Sequence, residues 1–373
     1  MGSTIGTKWL VIQTAFTLSG ACALAYEIVW GRWLATVLGG SAMATSIVLA
    51  AYMGGLALGS YAFGRLSERT SKPLLVYVAV ELLIGLTAAT FPSVTEGILG
   101  LPGLPRTLIA FVVLLLPTFF MGGTVPLVMA WSREVDLPQG RTLGRLYGLN
   151  TLGAAAGCLL AGFWLIPQLG LSVTNATAAT INVLIGLGIY LMERPHRAAE
   201  APDKSTPSVP SKEESEGREE VLPLPASPTQ PIAGWMLYAV AVCSGWATLG
   251  LEVIWIRLLR ITLGSTTYTF TLVIATFILG IGLGGLWAGR IADDVSVRGV
   301  LARSQVALFA LLLLQFAVLP TTPLLFEVLR QGTDPWLASL LGSALLCLVV
   351  LLPVTLVVGF LFPLLGRLYM ERG

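Results

Sequence analysis

The chain has 373 residues, 55% of them hydrophobic and only 11% charged, with a net charge of +2 and a mean hydropathy of +0.83. Soluble domains carry about 25% charged residues, so an ordinary soluble globular protein is excluded, and no nucleic-acid partner is expected. Strict apolar–polar alternation is absent, which argues against a transmembrane β-barrel and leaves an all-α polytopic membrane protein.

Ten apolar runs are read as spans, each near the roughly 20 residues a helix needs to cross a bilayer. They cover 9–31, 42–64, 73–93, 107–131, 146–167, 171–192, 233–256, 267–289, 299–320 and 336–365. The first lacks a small-residue cleavage site and reads as a retained helix. Within it, "SGACALAYEIVWGRW" places Glu27 and Arg32 in apolar surroundings, where each charge costs about 2.5–3.5 kcal/mol. The second span ends in "GGLALGSYAFGRLSER", whose glycines at four-residue spacing allow close helix approach. The third holds Glu81 in "YVAVELLIG". This intramembrane acid fits a proton-coupling or substrate group, and equally an inward packing role.

After the sixth span comes a stretch rich in Pro, Ser and Glu and without aromatic residues. It cannot offset its ordering entropy by burial, so a disordered cytoplasmic linker is expected. The division is therefore 1–192, a first transmembrane repeat; 193–232, the linker; and 233–373, a second repeat that stops after four spans. The seventh span carries "SGWATLGLEVIWIRLL", with Glu252 and Arg257, and the eighth ends in "GIGLGGLWAGRIADD". Cys22, Cys158, Cys243 and Cys347 all fall in apolar runs with no CxxC pair, and His196 stands alone in a polar segment. Neither pattern suggests a disulfide or a metal site, and no cofactor is implied.

Lys and Arg set the orientation. Lys8, Arg65, Arg69, Lys72, Arg133, Arg141, Arg145, Arg290, Arg298, Arg303, Arg367 and Arg372 share one side, and Arg32, Arg106, Arg257, Arg260 and Arg330 the other. The positive-inside rule then places the N-terminus, the linker and the C-terminus in the cytoplasm of a multi-pass inner-membrane protein.

The two halves are copies. A shift of 225 residues lays Ser19, Gly20, Glu27, Trp30 and Arg32 on Ser244, Gly245, Glu252, Trp255 and Arg257. Without a gap it continues through Gly39 on Gly264, Gly55 on Gly280, Gly59 on Gly284 and Gly64 on Gly289, then Arg65 on Arg290 and Glu68 on Asp293. The fourth and tenth spans match at a slightly larger offset, through Thr118 with Thr355, Gly122 with Gly359 and Pro126 with Pro363. Such duplications mark repeat architectures. An even number of spans per unit makes the repeats parallel, related by an axis along the membrane normal.

The Gly-rich ends of spans two and eight, with Arg65, Glu68, Arg290 and Asp293, resemble the loop between helices two and three of the major facilitator superfamily. That resemblance implies a cytoplasmic latch between the halves; close packing with positive-inside anchoring explains the same residues. "SGACALAYEIVWGRWLATVLGGS", "GRLYGLNTLGAAAGCLLAGFWLIPQLG" and "SGWATLGLEVIWIRLLRITLGST" resemble the membrane part of the fused major facilitator–spermidine synthase proteins, over nearly all of the chain except the linker. Members often carry a soluble aminopropyltransferase domain. No strand, Gly-rich loop and acidic pattern follows the last span, so the catalytic residues of such a domain have no positions here to be carried onto; enzyme activity stays open, and the reading leans against it.

The resemblance implies that spans one and seven meet near the pseudo-twofold axis. Glu27 then faces Glu252 or pairs with Arg257, while Arg32 pairs with Glu252. Facing carboxylates suit a polycation such as a polyamine; reciprocal salt bridges would instead clamp the halves together. Trp30 and Trp255 fit an interfacial aromatic belt. The leading expectation is a facilitator-like protein that binds or moves a small cationic solute such as a polyamine, with the lipid bilayer as its surroundings. The alternatives are a non-transporting subunit that anchors other membrane-complex subunits, and the membrane portion of a bifunctional aminopropyltransferase.

Overall fold

The computed structural model describes residues 2–39, 42–199, 234–264, 267–291, 296–329 and 335–370. Twelve α-helices occupy nearly all of them: α1 (Gly2–Leu38), α2 (Ala42–Ser67), α3 (Pro73–Gly97), α4 (Gly103–Gly122), α5 (Thr124–Glu134), α6 (Gln139–Leu160), α7 (Ile166–Ala199), α8 (Gly234–Leu263), α9 (Thr267–Ile291), α10 (Val297–Val318), α11 (Thr322–Leu329) and α12 (Pro335–Met370). No strand occurs among the described residues. This is what a hydrocarbon solvent demands, because a helix satisfies its own backbone.

Among the described residues, nine stretches are long and apolar enough to cross a membrane. The fifth, Gln139–Glu193, has 55 residues, or about 80 Å of helix, against a hydrocarbon core of about 30 Å. Gly170 breaks it with φ 76° and ψ 176°. Contacts with α1 then run in opposite senses on either side. Asn150, Gly153 and Gly157 of α6 meet Phe16, Thr17 and Ala21 in ascending order. On α7, Asn175, Asn182 and Glu193 meet Trp30, Tyr26 and Lys8 in descending order. The chain therefore folds back at Gly170, and the described spans number ten, six before the linker and four after.

Three boundaries differ from the sequence reading. The fourth span is two helices, α4 and α5, meeting at Gly123. The ninth continues past Pro320, which ends regular hydrogen bonding by lacking an N–H, through a 3₁₀ turn into α11. Residues 193–199, assigned to the linker, continue α7, where Glu193 accepts a salt bridge from Lys8 at 3.0 Å. The rest of the linker lies outside the described residues.

The duplication reappears as geometry. Gly55 lies against Thr118 Oγ1 and Gly280 against Thr355 Oγ1; Gly59 abuts the Phe119 carbonyl and Gly284 the Leu356 carbonyl. Gly122 and Gly359 return the contact to the carbonyls of Leu56 and Ile281. Thus α2 crosses α4 as α9 crosses α12. Even the helix ends are copied, since Gly39 and Gly264 both have φ 85°, a left-handed value glycine adopts without penalty after a helix C-terminus.

The halves meet mainly through α6 and α9, with α12 also touching α6. Helix α6 carries a small-residue stripe on each side. Gly144 and Gly148 receive Gly289 and Leu286 of α9, whereas Gly153 and Gly157 receive Thr17 and Ala21 of α1. Helices α1 and α8 form no packed seam of their own.

Candidate functional site

Glu27 on α1 and Glu252 on α8 come within electrostatic range of each other across the two halves. Glu27 is surrounded by protein yet keeps intermediate accessibility. Glu252 is buried. Cys158, on the stretch of α6 between the halves, interacts with both carboxylates, and its thiol donates to the Thr271 carbonyl of α9 at 3.6 Å. Tyr52 of α2 lies within range of Glu27, with its hydroxyl donating to the Ala23 carbonyl at 2.9 Å. Next to Cys158 the helix widens into a π turn, Ala161–Leu165, where Gly162 packs on Thr271. Such turns are common at functional sites.

The arginines do not complete this cluster. No salt bridge joins Arg32 or Arg257 to either carboxylate. Arg32 is partly buried, its Nη2 has no hydrogen-bond partner, and its electrostatic neighbour is Tyr268. Tyr268 stacks on Phe163, ring centroids 5.2 Å apart. Arg257 points outward and is exposed. Glu27 and Arg32 are five residues apart, about 140° around the helix, so a helix that turns its acid inward turns its arginine away. The reciprocal salt-bridge clamp is therefore not formed.

Glu81 is fully buried between α1, α3 and α7. Ser19 Oγ donates to its Oε1 at 2.8 Å and Asn182 Nδ2 to its Oε2 at 2.7 Å. Asn182 Oδ1 in turn accepts from the Tyr26 hydroxyl at 2.8 Å. One face of α1 continues the chain of contacts, with Trp30 Nε1 donating to Asn175 Oδ1 at 2.8 Å and Asn175 Nδ2 to the Ala88 carbonyl at 2.8 Å. Trp30 is 0% exposed, between Tyr26 and Phe91 at centroid distances of 4.6 and 4.8 Å. Trp255 is buried too. Both tryptophans are thus core residues, which corrects the aromatic-belt expectation: the Trp30 indole N–H finds its partner in a buried amide.

Asn175 and Asn182 were not singled out by sequence reasoning, although two amides seven residues apart mark one face of a helix. Cys158 and Tyr52 gave no local signal. At the cytoplasmic candidates, Arg65 lies over the Tyr61 ring at 4.7 Å, and Glu68 is exposed within electrostatic range of Tyr369 on α12. Arg290 is exposed one residue after the Gly289–Gly144 contact. Asp293 lies outside the described residues. Cys22, Cys158 and Cys347 are buried and Cys243 is exposed, all as free thiols.

Ten helical spans among the described residues, in two halves whose helix crossings repeat, with an acid pair between them, define a polytopic membrane protein of facilitator type. The family pattern of the Major Facilitator Superfamily matches residues 9–372, and the chain belongs to that superfamily. Among curated proteins it is similar to a polyamine aminopropyltransferase of Mycobacterium tuberculosis, 30% identical over 185 residues, 47% of this chain and 34% of that protein. A polyamine aminopropyltransferase 2 of Ralstonia nicotianae is 26% identical over 178 residues, 48% of this chain and 34% of that protein. A third, from Corynebacterium efficiens, is 28% identical over 184 residues, 48% of this chain and 34% of that protein. The matched region spans about a third of the length of these relatives, in keeping with the resemblance to the membrane part of fused facilitator–synthase proteins.

Proposed function

We propose that this protein binds a small organic cation of the polyamine class between its halves, at Glu27 and Glu252, and moves it across the inner membrane. The N-terminus, the linker and the C-terminus lie on the cytoplasmic side in this reading. The observation that carries it is the acid pair: two carboxylates at equivalent places in the repeat come within electrostatic range of each other across the halves, with no arginine or lysine among the described residues paired to either. Like charges in low dielectric call for a cation between them, and a multivalent amine places ammonium groups where two carboxylates can share them. Polyamine aminopropyltransferases among the relatives support the same ligand class. Arg65, Glu68, Arg290 and Asp293 would serve as the cytoplasmic latch that alternates with opening.

The test is spermidine binding to the protein in nanodiscs. A hydrogen bond to a charged group contributes about 1.5–3 kcal/mol, so Glu27→Gln and Glu252→Gln should each weaken binding about 10- to 100-fold. Arg257→Gln should leave it nearly unchanged. No binding by the unaltered protein, or binding by both Gln variants equal to that of the unaltered protein, would overturn the assignment.

A second reading, a non-transporting subunit that anchors a larger complex, is favoured by the outer face of α8. On α1, Thr17, Gly20 and Ala21 are covered by α6; their counterparts on α8 are Val242 and Trp246, both largely exposed, and Gly245, which faces open space. Stable co-purification with another membrane polypeptide, lost on Gly245→Leu, would favour this reading.

A further inference from the structure

Helix α10 has one packed side and one bare side, and the duplication shows what the bare side does in the other half. Leu301 packs on the cluster of Leu364 and Leu368, and Leu308 and Leu312 on that of Val354 and Val358. Gln315 Nε2 donates to the Val350 carbonyl, so all of this side lies against α12. At a shift of 224 residues, one fewer than upstream, Leu301, Leu308, Leu312 and Gln315 fall on Tyr77, Ile84, Ala88 and Phe91 of α3, each of them buried. The same register lays Ala302, Gln305, Val306 and Phe309 on Val78, Glu81, Leu82 and Gly85, which is the side of α3 that holds α7. There Gly85 abuts Val183 and the Ala179 carbonyl, Gly186 abuts Leu82 and the Val78 carbonyl, and Glu81 accepts from Asn182. On α10 all four counterparts are exposed, Val306 by 71% and Phe309 by 66%, and the bare stripe continues through Leu313 and Phe316.

Apolar side chains are at home in lipid, but the amide of Gln305 is not. It stands about 12 Å along α10 from the first residue and has no hydrogen-bond partner among the described residues, while hydrocarbon supplies neither donor nor acceptor. Phe309 in the place of Gly85 also bars a helix seated as closely as α7 is on α3. The occupant must therefore present both a donor and an acceptor beside Gln305 and make room for a ring one turn further on. A second Gln305 meets the first demand by itself, because two amides related by a two-fold axis exchange N–H and C=O reciprocally. An axis along the membrane normal keeps the two α10 helices parallel, so each residue of the stripe meets its own counterpart, and Ala302 on the same side leaves the helices free to cross. We propose that the bare side of α10 is the interface between two copies of this chain, centred on Gln305 and Phe309. The like-charged Arg298 lies in the first turn of α10, at the headgroup level, where salt screens repulsion beyond about 8 Å. The interface does not rest on the cation reading, since α10 carries neither Glu27 nor Glu252.

Resonance energy transfer between donor- and acceptor-labelled copies in phospholipid vesicles, followed as the protein is diluted with lipid, measures the dimer dissociation constant. Gln305→Leu should raise that constant about 3- to 30-fold, the range for loss of an interhelical hydrogen bond in a membrane. The side chain touches nothing in its own chain, so this variant keeps its fold. Leu184→Ala, on the exposed side of α7, should leave the constant unchanged. Oxidative cross-linking in membranes gives an independent reading. Cys243 is the one exposed cysteine among the described residues, so a Cys243→Ser background is used. Phe309→Cys should then form a disulfide-linked dimer of this chain, and Leu184→Cys should not. Transfer no greater than chance proximity at every dilution would mean that lipid covers the stripe, and overturns the interface. A dimer unaffected by Gln305→Leu overturns it too, as does Phe309→Cys that stays uncross-linked or links to a different polypeptide.

Discussion

Close helix crossings that repeat in both halves make a quantitative prediction for single added methyl groups. A Cβ at Gly59 would be built into the Phe119 carbonyl oxygen, and one at Gly284 into the Leu356 carbonyl oxygen. Both obstacles are main chain and cannot swing aside, so α2 must part from α4, and α9 from α12. Overpacking of this kind costs about 1–3 kcal/mol, offset in part by the roughly 0.8–1 kcal/mol that Ala gains over Gly in a helix. Gly54 lies on the same helix as Gly59 with nothing within 4 Å of its added Cβ, so only the favourable part applies there. Gly59→Ala and Gly284→Ala should each destabilise by up to about 2 kcal/mol, while Gly54→Ala stabilises by up to about 1 kcal/mol. Reversible unfolding in mixed micelles, followed by the fluorescence of the ten tryptophans, measures all three. If Gly59→Ala is as stable as Gly54→Ala, the carbonyl contact does not set the helix spacing and the reasoning fails.

Three further outcomes follow from the buried contacts and the charge asymmetry. Asn182→Ala removes two interhelical hydrogen bonds and Trp30→Phe one, at about 0.6–1.7 kcal/mol each, so the first should unfold at a clearly lower denaturant midpoint. Lys8→Gln breaks a partly exposed salt bridge and should change stability by no more than about 1 kcal/mol; a larger loss in the same assay would mean that α7 depends on that tie. A membrane-impermeant thiol reagent applied to intact cells should leave a Ser205→Cys variant unlabelled, and labelling from outside would reverse the proposed orientation.

Much was legible in the chain itself, because lipid imposes constraints that act along it. Apolar length marked the ten spans, and the gapless 225-residue shift foretold that Gly55 would do in one half what Gly280 does in the other. Glu27, Glu81 and Glu252 stood out because a charge in an apolar run is costly wherever it points. Direction was not legible. A soluble helix advertises its buried side by hydrophobic periodicity, but a spanning helix is apolar all round, since lipid is as apolar as the core and close packing selects small residues instead. Only the assembled helices decided that Trp30 faces Asn175 and not the headgroups. They also turned Arg32 and Arg257 away from the acids and brought a serine, an asparagine and two tyrosines around Glu81. Those choices depend on which helix lies beside which, and α6, with one glycine stripe against α1 and another against α9, sets that arrangement for both halves.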